Sequence, residues 1–283
     1  VAPTIVQTWL PQMDVVGGVA AVRSRTPWII SERTSGEYYG EVPTFARLRL
    51  LASRYAGAVV ANSKGGEDYW TNDGPRSLRR TTIPNAIDFK GINESAATPA
   101  EKSHARPLLL VVGRFDRGKA HAIVVHALSI LSEKQPVNVM MIGEGSEQAS
   151  IGKQIEAASL SNRIKLTAYQ PDWWRWLKVA DGLISMTRYE GNPNVALEAM
   201  AGGCPVILSD IPAHREIADS SSALFVPVED AQALSQAILT LVNGKDAALS
   251  RAQQALKRVS PMTLSSMADA YEAVYREVLN RKH

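Results

Sequence analysis

Cysteine is almost absent: the 283 residues include one, Cys204. That excludes an intramolecular disulfide and any multi-cysteine metal cluster. Long apolar runs are missing too. The longest, such as 108–112, fall far short of the roughly 20 residues needed to cross a bilayer. There is no initiator methionine; the chain opens Val1-Ala2-Pro3 and runs directly into a strand-like stretch at 4–9. Neither sign of charge dominates, with 31 Lys+Arg against 28 Asp+Glu. These absences exclude a membrane-spanning, disordered, collagen-like or disulfide-framework protein. A single cysteine and no recognisable signal segment suit a reducing cytoplasm. What remains is a globular chain, 45% hydrophobic, long enough for two domains at about 150 residues each.

The small basic excess is uneven. Residues 1–92 carry 11 Lys+Arg against 8 Asp+Glu, whereas residues 93–283 carry 20 of each. Arg47, Arg49 and Arg54 fall on one helix-like stretch, 45–55. Two readings stand: a solvated face, or a surface drawn to anionic lipid headgroups or a phosphorylated acceptor. The patch is too weak to indicate a nucleic-acid partner.

The polar stretch 93–107 lacks apolar periodicity and reads as a linker. Before it, strands are expected at 4–9, 27–31, 57–61 and 80–84, with helices near 16–23, 43–55 and 64–72. After it, strands at 107–112, 137–142, 163–167, 182–186 and 205–208 alternate with helices at 118–133, 146–158, 172–179, 193–202 and 231–243. Continuous apolar strands between amphipathic helices predict an α/β fold whose parallel sheets are covered on both faces. A last helix near 263–281 carries Met267, Tyr271, Val274 and Val278 at helical spacing. The expected division is a first domain at 1–92, a linker at 93–107, a second domain at 108–260 and a terminal helical segment at 261–283.

Two segments carry chemistry. In the first, Glu190, Gly191, Asn192, Pro193 and Asn194 follow a strand and open a helix that also carries Val195 and Glu198. Asn192 is a natural N-cap and Pro193 a natural first helical residue. The free N–H groups of Asn194 and Val195 would then form an anion site, with a carboxylate on either side of it. This suits a ligand with a central diphosphate and hydroxyls at both ends, as a carboxylate is a strong acceptor for hydroxyls. An ordinary capped helix with one surface and one semi-buried glutamate is the plainer alternative. In the second segment, Gly113 lets the chain turn after a buried strand, and Arg114 and Lys119 follow. They read either as a diphosphate-binding pair or as two solvated cations.

Together these segments resemble the retaining GT-B glycosyltransferases of glycosyltransferase family 4, and the resemblance covers nearly the whole chain. Glu190 and Glu198 match the family's paired-glutamate motif, and Arg114 with Lys119 its phosphate-binding pair. The run 141–145, with Gly143 and Gly145, matches its glycine turn. Asn62-Ser63 and Pro84-Asn85 with Asp88 resemble its first-domain signatures, although Ala86 follows Asn85 in place of glycine. The resemblance implies two Rossmann-like domains facing a cleft, with the first short of its initial strands and helices and the terminal helix crossing back toward it. It further implies that Arg114 and Lys119 bind the donor diphosphate, that Glu198 holds the ribose and Glu190 a sugar hydroxyl, and that 191–195 contact sugar and phosphate. Tyr169 and Gln170 fall where the nucleobase is usually held.

By the same resemblance the reaction transfers a sugar from a nucleotide-sugar donor, UDP-linked, to a glycan or lipid-linked acceptor, without a metal and with no cofactor. Peripheral contact with the inner face of the membrane is expected, and no nucleic acid. A catalytically incomplete sugar-nucleotide-binding fragment is the alternative. Relatives often carry a histidine where Gln12 stands, and Gln12 cannot act as a general base. Asp14, Glu32 and Arg33 are the other acceptor-side candidates; Glu32 and Arg33 either face the cleft or form a plain surface ion pair. Trp173, Trp174 and Trp176 either stack on a base or pack the helix.

Overall fold

The computed structural model describes residues 3–34, 36–40, 42–95, 107–131, 135 and 137–280. The chain divides into two compact units. One comprises Val1–Ala86, Tyr189–Asn192 and Met262–His283; the other comprises Ile87–Arg188 and Pro193–Pro261.

The first unit is built on a parallel sheet of β1 (Val6–Trp9), β2 (Trp28–Glu32), β3 (Ala58–Ala61) and β4 (Arg79–Thr82), in that order. Helices α1 (Pro11–Arg23), α2 (Pro43–Ala52) and α3 (Lys64–Asp73) form the crossovers. Ser63 caps α3 by accepting from the Gly66 N–H at 3.1 Å. On one side of the sheet Ala21, Trp28, Ile30, Val59 and Trp70 form a core. A second core joins Ile29, Ala58, Val60 and Ile83 to Tyr271, Val274 and Val278 of the terminal helix (Leu264–Asn280). The apolar spacing of that helix thus has its partner in this unit.

The buried charges of this unit run against the sequence reading. Arg49 is fully buried, and so are Asp14 and Glu32. The guanidinium spans both acids, with Nε 2.5 Å from Asp14 Oδ2 and Nη1 2.6 Å from Glu32 Oε2. The Tyr39 hydroxyl donates to both Glu32 oxygens at 2.9 and 2.8 Å, and the Trp70 indole N–H donates to Glu32 at 2.9 Å. Thr8 donates to Asp14. The guanidinium also lies over the rings of Trp70 and Tyr39, at 4.8 and 5.2 Å. Burial by itself would lower the Arg49 guanidinium, but Glu32, Tyr39 and Asp14 outweigh it and hold it charged. Asp14 and Glu32 are therefore buried together on Arg49, and Glu32 does not form a surface ion pair with Arg33. Arg49 likewise drops out of the expected basic face; Arg47 and Arg54 remain exposed.

In the second unit the strands are β5 (Leu108–Val112), β6 (Asn138–Ile142), β7 (Ile164–Thr167), β8 (Gly182–Ser185), β9 (Val206–Ser209) and β10 (Leu224–Val226). They form one parallel sheet in the order β10-β9-β8-β5-β6-β7. The chain winds one way from β5 to β7 and then returns to the other side of β5. Helices α5 (His121–Ile130), α6 (Gln148–Ala157) and α9 (Ala231–Asn243) bury Val124, Leu128, Ile151, Leu234 and Ile238 against one face.

Several elements differ from expectation. Helix α4 (Phe89–Glu94), capped by Asp88 through the Gly91 N–H at 2.9 Å, occupies the start of the expected linker and belongs to the second unit. The rest of that expected linker, 96–106, lies outside the described residues. The helix expected at 172–179 is a 3-10 helix, Trp173–Lys178. Helix α8 (Pro212–Ile217), strand β10 and helix α10 (Lys245–Val259) had no counterpart in the expectation. In α10 the buried face is mostly alanine (Ala248, Ala252, Ala255).

Replacing Arg49 with methionine would leave two buried carboxylates without their counter-charge. Arg49→Met is expected to cost about 3–5 kcal/mol of unfolding free energy in urea denaturation. A loss below about 1 kcal/mol would show the cluster to be dispensable.

Candidate active site

In an open parallel sheet ligands bind beyond the carboxyl ends of the strands, where the winding direction reverses. Here that point lies between β5 and β8, which pair directly. The segment leaving β5 carries Arg114 and Lys119, and the segment leaving β8 leads to α7 (Asn194–Ala201), which carries Glu198.

The β5 segment is held by backbone contacts. The Gly113 N–H donates to the Ile142 carbonyl at 3.0 Å and the Phe115 N–H to the Glu144 carbonyl at 2.9 Å. The approach to the β6 turn is so close that a Cβ on Gly143 (φ +157°) would stand 1.9 Å from the Gly113 oxygen. Only glycine fits there. Phe115 is fully buried, whereas the Arg114 side chain is 84% exposed, with Asp116 3.3 Å away.

The other end of this loop is tied to the β8 segment. The Thr187 hydroxyl donates to the Gly118 carbonyl at 3.0 Å, and the Arg188 N–H donates to the same oxygen at 2.9 Å. Lys119 and Thr187 form an isolated antiparallel bridge, and the Ala120 N–H donates to the Met186 carbonyl at 3.0 Å. Thr187 is itself anchored, its N–H donating to Ser209 Oγ at 3.2 Å. Fully buried His214 secures Ser209 through Nδ1, which lies 2.8 Å from the Ser209 carbonyl oxygen. The β5 loop is thus joined, inside the second unit, to the residues that leave β8. Thr187, Ser209 and His214 make these contacts, which the sequence reading did not assign to them.

Glu198 is half-buried on α7. Burial raises its carboxyl above the ordinary range, while the indoles of Trp174 and Trp173 act in the opposite direction. Trp173 and Trp176 are buried, and Trp174 packs over Gly91 of α4, so these rings pack the protein. Tyr169 is exposed, and the side chain of Gln170 accepts from the Trp176 indole at 2.9 Å.

Asn192 does not cap α7. The residue before the helix is Pro193, without a side-chain cap. The segment Tyr189–Asn192 belongs with the first unit, where Asn192 Oδ1 accepts from the Asn85 N–H at 2.9 Å. Arg33 in turn donates to Asn85 Oδ1. Burial lowers the Arg33 guanidinium, against the raising influence of Tyr271 and Glu32. A Cβ on Gly191 would come within 2.4 Å of the Arg33 carbonyl oxygen and 2.9 Å of Asn62 Oδ1. Gly191, Asn192, Arg33 and Asn85 therefore form one packed group, with half-buried Glu190 immediately before it. Gln12 is exposed on the first turn of α1.

The sequence profile described as "Glycosyl transferases group 1" matches residues 94–258 of this chain. The chain belongs to the glycosyl transferases group 1 family. Within this family it is 25% identical, over 66% of its length, to the N-acetylgalactosamine-N,N'-diacetylbacillosaminyl-diphospho-undecaprenol 4-alpha-N-acetylgalactosaminyltransferase of Campylobacter jejuni, covering 51% of that protein. It is 24% identical over 69% of its length to the phosphatidyl-myo-inositol mannosyltransferase of Mycolicibacterium smegmatis, again covering 51%. The chain spans about half the length of these curated relatives. The crystal structure of Anabaena HepE in complex with UDP superposes with a TM-score of 0.86 at 20% identity, covering 96% of this chain and 78% of that one. Sucrose-phosphate synthase of Thermosynechococcus elongatus gives 0.86 at 20% identity, covering 99% and 74%. Both likenesses establish the shared GT-B glycosyltransferase fold.

In this family member a buried histidine stands behind the phosphate-loop candidate. Burial pushes the His121 imidazole down to about 4, with Lys119 acting in the same direction and the Arg114 carbonyl and Asp116 against it. With the folded value below the unfolded one of about 6.5, the unfolded chain takes up the proton first. Stability is lost as pH falls from about 6.5 to about 4. Denaturation across that window should show the native protein losing about 3 kcal/mol more than His121→Phe. Parallel curves for the two proteins would show that His121 is not buried neutral.

Proposed function

We propose that the chain is the donor-binding and part of the acceptor-binding portion of a retaining glycosyltransferase. It moves a sugar from a UDP-linked donor to a glycan or lipid-linked acceptor in cell-surface polysaccharide or glycolipid synthesis. The observation that carries this reading is the second unit's switch point, where a backbone-clamped loop bearing Arg114 and Lys119 is fastened to the segment that enters α7 and Glu198. The relatives named for undecaprenol-diphosphate and phosphatidylinositol acceptors support the acceptor class, and the neighbouring complex with UDP supports the donor.

In this mechanism Arg114 and Lys119 bind the diphosphate and stabilise it as it leaves, helped by the amino end of α7. Positive charge from these groups does the work a metal would do, so no metal and no cofactor is required. Glu198 takes the ribose hydroxyls, 169–170 lie by the base, and Glu190 holds a hydroxyl of the sugar. Asp14 and Glu32 are locked on Arg49 and Gln12 has no basic group, so these acceptor-side candidates supply no general base. A same-face transfer, in which the departing phosphate oxygen takes the acceptor proton, needs none and retains the anomeric configuration.

Two substitutions separate binding from transfer. Glu198→Ala should weaken UDP binding by about 1.5–3 kcal/mol in calorimetry; unchanged affinity would remove Glu198 from the ribose. Glu190→Ala should lower transfer far more than UDP affinity, and equal losses would remove it from the sugar. Binding of UDP-sugars without turnover in the presence of acceptor would instead identify a catalytically incomplete donor-binding fragment.

The surface of α1 and α2 supports peripheral contact with the inner face of the membrane. No helix among the described residues is long and apolar enough to cross a bilayer. These two helices nevertheless expose Met13, Val16, Val19, Phe45, Leu48 and Leu51. Arg23 and Arg47 are exposed on them, and their one acid, Asp14, is buried. An apolar face edged by cations fits the interface of an anionic bilayer. The chain should sediment with phosphatidylglycerol vesicles and not with phosphatidylcholine vesicles, and Leu48→Asp with Val16→Asp should reduce this about tenfold. Equal recovery with both lipids would exclude the electrostatic component.

A further inference from the structure

We propose that His121 is a positioning residue for the diphosphate-binding loop, holding Arg114 in place through a hydrogen bond from a neutral imidazole; this rests on the donor-binding reading above. Arg114 needs such a device because its side chain is 84% exposed. A long exposed side chain is directed by the backbone that carries it, and packing does little to restrict its rotamers.

The geometry defines the role. His121 opens α5 and is 3% exposed. Its Nε2 lies 3.0 Å from the Arg114 carbonyl oxygen. A carbonyl only accepts, so Nε2 must carry the proton. The other ring nitrogen, Nδ1, is buried and has no hydrogen-bond partner. A second proton there would be an unsatisfied charged donor, so the ring is neutral with its hydrogen on Nε2. The ring stands edge-on to Phe115, with centroids 5.1 Å apart. Phe115 is fully buried. The imidazole is thereby held by the residue that follows the one it clamps.

The far end of the loop is already secured by Thr187 and Arg188 on the Gly118 carbonyl. His121 supplies the side-chain tie at the near end. The two ties bracket the residues between Arg114 and Lys119, so both cations are presented from a fixed segment. That arrangement favours a diphosphate, which must meet both cations at once, over a nucleoside, which meets neither.

The test compares His121→Phe, which keeps a ring and loses the donor, with His121→Gln, whose amide places an N–H near the Nε2 position. Two readouts are taken: backbone hydrogen exchange over 113–120 without ligand, and calorimetric affinity for UDP and for uridine. His121→Phe should speed exchange in that segment and weaken UDP about tenfold while leaving uridine unchanged, and His121→Gln should bring both within about threefold of the native protein. Should His121→Phe not fold, His121→Asn, whose shorter amide falls short of the carbonyl, takes its place with the same expectation. Native exchange and native UDP affinity in the donor-less variant would overturn the proposal, and so would equal loss of UDP and uridine. If the native protein binds neither ligand, the donor reading fails by itself, and exchange over 113–120 decides the clamp.

Discussion

The second unit depends on a close approach of backbone to backbone at the carboxyl ends of β5 and β6. There the Gly143 turn lies so near the Gly113 carbonyl that no side chain fits between them. This contact lets the Phe115 N–H reach the Glu144 carbonyl and drives Phe115 into the core. With Phe115 anchored, Arg114 on one side of it is turned outward. The ordering of the cationic loop thus follows from a steric condition on the neighbouring turn.

The first unit depends on charge. Arg49, Asp14 and Glu32 lie out of water together, and each would be costly to bury without the others. Tyr39, Trp70, Thr8 and the backbone N–H groups of Arg33 and Thr34 also donate to these carboxylates. The cluster links α1, β2, α2 and α3 around a sheet with four strands among the described residues. It also keeps two carboxylates away from solvent.

The alternation of strands and helices was legible in the residue order, because parallel strands covered on both faces leave continuous apolar runs. Arg114, Lys119, Glu190 and Glu198 were singled out from their places after strands, and they lie in the segments that follow β5 and β8. What escaped included short elements such as three-residue β10 and six-residue α8, too brief for a periodic pattern. Asn192 is instructive. Its position before Pro193 is a good capping position, yet its side chain turns to the Asn85 N–H, 107 positions away in the chain. A local preference worth about 1 kcal/mol was overridden by a buried partner.

The sequence by itself determined the class of fold, the alternation of its strands and helices and the cationic character of the loop that leaves β5. All of these rest on patterns within a few residues, where helix and strand periodicity and turn sterics act. Only the tertiary structure decided which charges face solvent and which stay inside. Arg49 reads like Arg47 and Arg54 in the chain, yet its partners lie 35 and 17 positions away. His121 and His214, which brace the segments around the switch point, are likewise set by contacts with residues brought to them by folding. Burial and partnership are properties of three-dimensional neighbourhood, and residue order does not contain them.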